Sequence, residues 1–298
     1  HYNVSNDFYE LWLDRNMLYS CAYFHTPDQD IDTAQRQKLD HICRKLRLRP
    51  GQHLLDIGCG WGGLAIHAAR HYGVEVTGIT LSQPQADWAT ARILEAKISG
   101  QVRVLVCDYR EIKPVQAELF DALVSVGMFE HIGVANLPVY FSQAMQLLKP
   151  GGIFLNHAIA RRTNDLAVHG PSFTNTYVFP DGELTPIGAA LNVAEESGFE
   201  VRDVESLREH YTLTLRHWVR RLELRHHEVL RIVDEPTYRV WRLYMAGAAH
   251  NFESWAVSVY QTLLAKPDSL GRTGLPLTRD DWYAIHAKYD RPTERFDY

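Results

Sequence analysis

The residues best placed to do chemistry lie where apolar runs end. Residues 54–63 read LLDIGCGWGG: an apolar run closes on Asp56 and is followed by Gly58, Gly60, Gly62 and Gly63 within six positions, then by AIHAARHYG. This is the pattern of a buried strand, a tight turn and a helix. Lacking Cβ atoms, the turn lets a ligand approach the backbone, and the helix behind it aims free N–H groups at that ligand. A phosphate cradle would bring Lys-Ser/Thr after the glycines, or a G-x-G-x-x-G spacing. Here a carboxylate precedes the turn, which favours a cationic or neutral cofactor over a pyrophosphate. Two further apolar runs end in Gly127-Met128-Phe129-Glu130-His131 and in His157-Ala158-Ile159, so a carboxylate and an imidazole mark neighbouring strand ends.

The elements that must position these residues follow in order. Strands are expected at 74–79, 102–107, 121–126 and 152–157, separated by helices at 83–96, near 111–118 and at 137–148, the last stopped by Lys149-Pro150-Gly151-Gly152. Such alternation gives a parallel sheet with helices on both faces, and ligands bind beyond the carboxyl ends of its strands. Upstream, Ser5 caps a short helix bearing Phe8, Leu11 and Trp12. A second helix, 33–46, buries Leu39, Ile42, Cys43 and Leu46 and turns Arg36, Lys38, Arg44 and Lys45 to solvent. Downstream come a strand at 199–207, helices at 211–230 and 235–252, and a strand at 256–264 expected as an antiparallel edge. The polar segment 161–183, broken by Gly170-Pro171 and Pro180-Asp181-Gly182, reads as a lid over the strand ends, and Thr278 with Asp281 as the cap of a last helix.

Composition excludes some partners. The chain has 298 residues and a net charge of −5, so no basic surplus argues for nucleic acid. Cys21, Cys43, Cys59 and Cys107 form no C-x-x-C pair, and no apolar run reaches the ~20 residues of a membrane span. A cytoplasmic home is the default expectation. The chain opens on His1, which suggests native residues upstream.

Five ordered segments resemble the cyclopropane fatty-acid synthase family, which includes the bacterial phospholipid enzymes and the mycolic-acid cyclopropane synthases. They are residues 19–24 (YSCAYF), 56–62 (DIGCGWG), 78–82 (GITLS), 125–131 (SVGMFEH) and 157–159 (HAI). The likeness continues through 177–184 and 207–211 and stops near Lys266. It implies a class I S-adenosylmethionine (SAM) methyltransferase (Rossmann-like) fold: an α/β, mostly parallel seven-stranded sheet with helices on both faces and a helical insertion before the last strand.

The resemblance also implies a division into a catalytic domain 1–266, with 1–50 as helical cover and 208–253 as the insertion, and a C-terminal extension 267–298. SAM would be held by Tyr19, Ser20, Asp56, Gly58, Gly60, Thr80, Leu81, Gln85 and, near the adenine, Tyr109. Thr80 stands where most dinucleotide folds end the second strand in an acid, so contacts to the ribose would come from neutral groups. The implied reaction adds a methylene to the cis double bond of an unsaturated phospholipid acyl chain. Bound bicarbonate would take the proton, held by backbone groups of Cys21 and Ile159 and the side chains of Glu130, His157 and Tyr244. Glu130 could accept the bicarbonate O–H while His157 and Tyr244 donate to its oxygens. Tyr23, Phe24, Phe129, Phe173 and Tyr244 are candidate walls around a carbocation. No metal is implied.

Alternatives stay open: methyl- or methylene-branched products, carrier-bound acyl chains, transfer to the nitrogen of a small molecule, or a non-catalytic SAM- or lipid-binding subunit. A short lid tilts the reading toward phospholipid. Peripheral contact with the inner membrane surface follows from that substrate, through the bases of helix 33–46 or the pair 211–252. A homodimer is compatible with the family.

Overall fold

A computed structural model describes residues 5–113, 119–164, 172–180 and 182–283. Its strands are β1 (His53–Ile57), β2 (Glu75–Thr80), β3 (Val102–Val106), β4 (Phe120–Val126), β5 (Leu148–Arg161), β6 (Glu200–Ser206) and β7 (Val257–Ala265). They form one seven-stranded sheet in the order β3-β2-β1-β4-β5-β7-β6. β1 to β5 pair in parallel, and β7 runs antiparallel to both β5 and β6.

The helices are α1 (Asn6–Glu10), α2 (Ile31–Lys45), α3 (Gly63–Tyr72), α4 (Gln83–Glu95), α5 (Leu137–Leu147), α6 (Phe173–Tyr177), α7 (Ile187–Glu196), α8 (Arg208–Leu224), α9 (His226–Val229), α10 (Glu235–Glu253) and α11 (Asp280–Tyr283). Successive strand side chains point to opposite faces. Leu54, Val76, Val124, Leu155 and Leu263 therefore pack against α2 and α3, while Leu55, Ile79, Leu123, Phe154 and Leu264 pack against α5 and α7. A third cluster, rich in aromatic rings, joins α1, α8 and α10 to the glycine turn: Tyr9 meets Trp61 at 5.0 Å, and Trp12 meets Trp218 at 5.5 Å and Trp241 at 5.7 Å.

Several elements differ from expectation. β7 is not an edge. β5 runs for fourteen residues and offers β7 a ladder from Ile153↔Ala265 to Arg161↔Val257, so β7 lies between two strands. The edge is β6, whose Glu200, Arg202, Asp203 and Glu205 suit a strand that must not recruit another. The second helix begins at Ile31 because Asp30 caps it, accepting from Thr33 N at 2.9 Å. Ser5 occupies the cap position of α1, yet its side chain makes no capping bond. The helix expected over 211–230 starts at Arg208 and breaks at Arg225. Of the piece near 111–118, a 3-10 turn at Tyr109–Glu111 is present, and 114–118 lie outside the described residues. In the lid, β5 continues to Arg161 and α6 forms, while 165–171 and 181 lie outside the described residues. Thr278 donates its hydroxyl to Asp280 rather than capping with Asp281, whose carboxylate pairs with Arg47.

The largest correction concerns α2. Lys38 and Lys45 are 1% and 0% exposed, so they are not on a solvated face. Lys38 Nζ donates to Ser20 Oγ at 2.7 Å, and Lys45 Nζ sits 3.3 Å from Asp203 and 2.7 Å from Glu205. Both lysines fall on the stripe Ile31, Ala34, Lys38, Ile42, Lys45, the inward spacing of the helix. Each head group finds an acceptor or a carboxylate, which offsets the cost of its burial.

Candidate active site

The glycine turn after β1 is shaped by its backbone. Gly58, Gly60 and Gly62 have φ of 79°, 55° and 79°, in the left-handed region that glycine tolerates best. Gly58 N and Cys59 N both donate to Ile79 O at 2.9 Å, which pins the turn to the end of β2. A Cβ on Gly58 would stand 2.9 Å from Met128 Cβ, whereas one on Gly60 would meet nothing within 4 Å. The turn is therefore closed on the β4 side and open at Gly60, as a ligand cradle must be.

Asp56 does not present a fixed charge to that opening. It is buried, and burial pushes its carboxyl up to about 7 against the opposing pull of Lys38. Lys38 is pushed down to about 8 by the same desolvation, with Asp14, Cys21 and Asp56 holding it up. The strip Tyr19-Ser20-Cys21 is hung from this buried group. Lys38 holds the Ser20 hydroxyl, and Gln35 Nε2 donates to Ser20 O at 2.9 Å and Leu18 O at 3.3 Å. The strip crosses the end of β4, where a Cβ on Gly127 would be 3.9 Å from Ser20 Cβ and 4.0 Å from Tyr19 O. Tyr19 and Cys21 thus arrive at the strand ends although they lie far upstream of the sheet in sequence.

At the end of β2, Thr80 Oγ1 donates to Gln85 Oε1 at 2.7 Å and accepts from Ser82 N at 3.1 Å. These neutral groups occupy the place of the usual acid. Leu81 beside them is 75% exposed, an apolar side chain left uncovered at the mouth of the site. Tyr109 follows β3, half-buried against Tyr140 with its ring centroid 5.5 Å away.

Glu130 and His157 come from the ends of β4 and β5, which Gly127 N ties together by donating to His157 O at 2.9 Å. Glu130 Oε1 accepts from Ile159 N at 2.6 Å, and Oε2 is buried with no hydrogen-bond partner among the described residues. Burial pushes this carboxyl up to about 7, partly opposed by the Ile159 N–H. His157 is buried and pushed down to about 3, first by desolvation and then by the positive charges of Lys38 and Lys45. As placed, Gln261 Nε2 donates to His157 Nδ1 at 3.2 Å. The neutral ring then carries its proton on Nε2, a buried donor with no partner among the described residues. In that tautomer the pair offers one unfilled acceptor and one unfilled donor, the complement of an acidic oxyanion.

The remaining sequence candidates separate. Tyr19, Cys21, Ile159 and Tyr244 share the aromatic cluster, where Tyr244 meets Phe179 at 5.5 Å. Burial pushes the Cys21 thiol far up, leaving it an unreactive neutral group, in keeping with a backbone role. Tyr23 packs against the same cluster, stacked between His41 at 4.3 Å and His210 at 4.8 Å. Phe24 belongs to a separate cluster with Ala22, Ile31 and Ala34. Phe129 faces Tyr140 and Phe141 in the opposite core, and Phe173 is exposed on α6 beside Tyr177. Sequence reasoning missed Asp14, Gln35, Lys38 and Gln261. The inward spacing of Gln35 and Lys38 was the available signal.

Residues 1–262 match the family model for mycolic acid cyclopropane synthetase. The chain belongs to that family. It is a SAM-dependent methyltransferase of the cyclopropane-synthase type, with the class I fold. Among relatives, it is 47% identical over 286 residues to a Pseudomonas putida protein named "Probable fatty acid methyltransferase", covering 95% of this chain and 72% of that one. It is 36% identical over 266 residues to the cyclopropane-fatty-acyl-phospholipid synthase of Escherichia coli, covering 89% of this chain and 66% of the relative, just under two thirds. Of solved structures, the cyclopropane synthase MmaA2 from Mycobacterium tuberculosis superposes with a TM-score of 0.84 at 34% identity, covering 89% and 96% of the two chains. The mycolic acid cyclopropane synthase CmaA1, complexed with SAH and CTAB, gives 0.82 at 33% identity, covering 89% and 95%. No described helix is long and apolar enough to cross a membrane.

Proposed function

We propose that this protein transfers a methylene from SAM to the cis double bond of an unsaturated phospholipid acyl chain, closing a cyclopropane ring. The observation that carries the reading is that Glu130 Oε2 and His157 Nε2, at the joined ends of β4 and β5, are both buried with no hydrogen-bond partner among the described residues.

The open turn at Gly60, the Thr80–Gln85 pair, the uncovered Leu81, Tyr109 and the Tyr19-Ser20 strip are the groups that would hold SAM. When bound, SAM supplies an electrophilic methyl group. The alkene π pair would form the new carbon–carbon bond as the methyl–sulfur bond breaks and its electron pair leaves with S-adenosylhomocysteine; the positive charge left on the acyl chain would be discharged when a proton is lost from the new methyl and the ring closes. Bicarbonate, held by Glu130 and His157, would supply the base there. Glu130 would accept its O–H, and His157 Nε2 and Tyr244 would donate to it. Ile159 N is already committed to Glu130 Oε1, so its part is to hold that carboxylate in place, and Cys21 contributes backbone. Tyr244 and Phe179 would exclude water, and each ring face near the cation would add roughly 0.5 to 2 kcal/mol; Tyr23, with both faces stacked on imidazoles, offers none.

Residues 1–266 would form the catalytic domain and 267–298 an appended tail. Burial of Lys38 and Lys45 removes helix α2 as the basic docking face. The insertion remains, with Leu224 and Leu243 exposed beside the Arg242–Glu223 pair, as the part that would meet the membrane surface. The second reading, transfer that ends in a methyl- or methylene-branched chain, is favoured by the 47% identity to the Pseudomonas putida protein. Incubation with SAM, bicarbonate and vesicles of monounsaturated phospholipid, followed by proton NMR of the extracted chains, separates the two. High-field ring protons support the synthase, and a new methyl or vinylidene signal supports branching. Unchanged lipid beside an active control refutes both.

A further inference from the structure

The strip Tyr19-Ser20-Cys21 belongs to no helix or strand, so bonds on either side set its course. Downstream, Ala22 N donates to Thr214 Oγ1 at 3.0 Å, Tyr23 N to Ala34 O at 3.1 Å and Phe24 N to His210 Nδ1 at 3.0 Å. Upstream, a single residue makes the anchor. Asp14 Oδ1 accepts from Leu18 N at 2.8 Å and Oδ2 from Asn16 N at 2.9 Å, while Asp14 O accepts from Met17 N at 2.9 Å. The turn so built holds Met17 at φ 54°, a conformation that residues other than glycine rarely adopt. It also lies against the glycine turn, because a Cβ on Gly63, the first residue of α3, would stand 2.6 Å from Asn16 O and 2.8 Å from Leu18 Cδ2.

We propose that Asp14 is a positioning residue for SAM: its carboxylate holds the turn 14–18 so that Tyr19 and Ser20 reach the cofactor. This role rests on the reading above that the strip holds SAM. Asp14 is 3% exposed, a costly place for a charge. Desolvation pushes its carboxyl up to about 6, opposed by the Leu18 and Asn16 amides and then by Lys38, with Asp32 adding to the rise. Near neutral pH the fold therefore keeps a buried carboxylate, and with it two acceptor oxygens for two amides. An asparagine of the same shape has one acceptor and would turn its NH₂ toward the other amide. The charges around Asp14 come from two helices. Lys38 and Asp32 belong to α2, and Arg221 of α8 donates to Leu13 O at 2.7 Å and to Asp32 Oδ2 at 2.5 Å. Lys38 also bonds Ser20 Oγ, so the lysine that favours the ionised Asp14 holds the strip as well. A strip that kept its course only roughly a tenth of the time would bind SAM about tenfold more weakly, because apparent affinity scales with the competent fraction.

Isothermal titration of the whole chain with SAM, without lipid, at about pH 7.5 and about pH 5 tests this role. Asp14→Asn should bind SAM about tenfold more weakly than the native chain at the higher pH. The gap should close to about twofold at the lower pH, where the native carboxyl has taken up its proton. In turnover, the KM for SAM should rise about tenfold while kcat at saturating SAM changes by less than about twofold. Asp14→Ser, a smaller side chain with a neutral hydroxyl, should behave alike and serves if the asparagine variant does not fold. Ser20→Ala, which removes the hydroxyl of the strip, separates the two claims. If it weakens SAM binding and the Asp14 variants do not, the role of Asp14 alone is overturned. If none of the variants weakens binding, the strip does not hold SAM and both readings fall. A gap of the same size at both pH values makes Asp14 a purely structural residue and also overturns the proposal.

Discussion

Replacing Glu130 by glutamine tests the electrostatics of the site through stability as well as turnover. Burial lifts this carboxyl from 4.5 to about 7. A folded-state pKa above the unfolded one means that the folded protein holds the proton more tightly. The associated stability is fully present below about 4.5 and is lost as pH rises through about 7. That rise corresponds to about 3 kcal/mol. Glutamine keeps an oxygen for the Ile159 N–H but does not titrate. Glu130→Gln should therefore gain on the native protein by about 2 to 3 kcal/mol between roughly pH 5 and about pH 8.5. Its turnover should fall by about 10² to 10⁴, the usual scale of acid–base catalysis. Urea unfolding of both proteins across that range, in bicarbonate-free buffer, reads the difference directly. A difference that is flat with pH, or a variant that loses ground at alkaline pH, would show that burial does not set this carboxyl, and the argument for the site would fall.

Three other outcomes follow from the packing. Lys38→Met should cost about 1 to 3 kcal/mol, because it removes the bond that holds the Ser20 hydroxyl and the positive charge that favours ionised Asp14 and Asp56; the KM for SAM should rise. Thermal melts and SAM titration check it. Gly58→Ala should destabilise through its contact with Met128, whereas Gly60→Ala should fold with a penalty of about 1 kcal/mol and lose SAM affinity, since its methyl group would stand in the ligand space. Equal effects from the two would contradict the open-turn geometry. Trp282→Ala should cost about 3 to 5 kcal/mol, as the ring is buried against α2 with Lys45, Arg47 and Arg279 at 5.3, 5.0 and 5.6 Å. Differential scanning calorimetry decides whether the tail braces the domain.

Much of the architecture is legible in residue order. The alternation of apolar runs and amphipathic helices fixes a parallel sheet, and its strand ends must collect Asp56, Thr80, Tyr109, Glu130 and His157, because parallel strands all finish on one side. The glycine turn is equally local: three left-handed residues in five positions have few other solutions.

Tertiary structure decided the rest, for reasons of pairing and burial that no local pattern carries. The last strand reads alike as an edge or as an inner strand, and only the fourteen-residue length of β5, together with the charges of β6, places it between them. A lysine on a helix reads as solvated by default; Lys38 and Lys45 are buried because acceptors and carboxylates from distant segments meet them there. The state of the site is likewise a tertiary fact. Glu130 and His157 are named by sequence, but their unfilled oxygen and nitrogen, and the shifts that keep the imidazole neutral and the carboxyl near neutrality, exist only once the fold has taken both out of water.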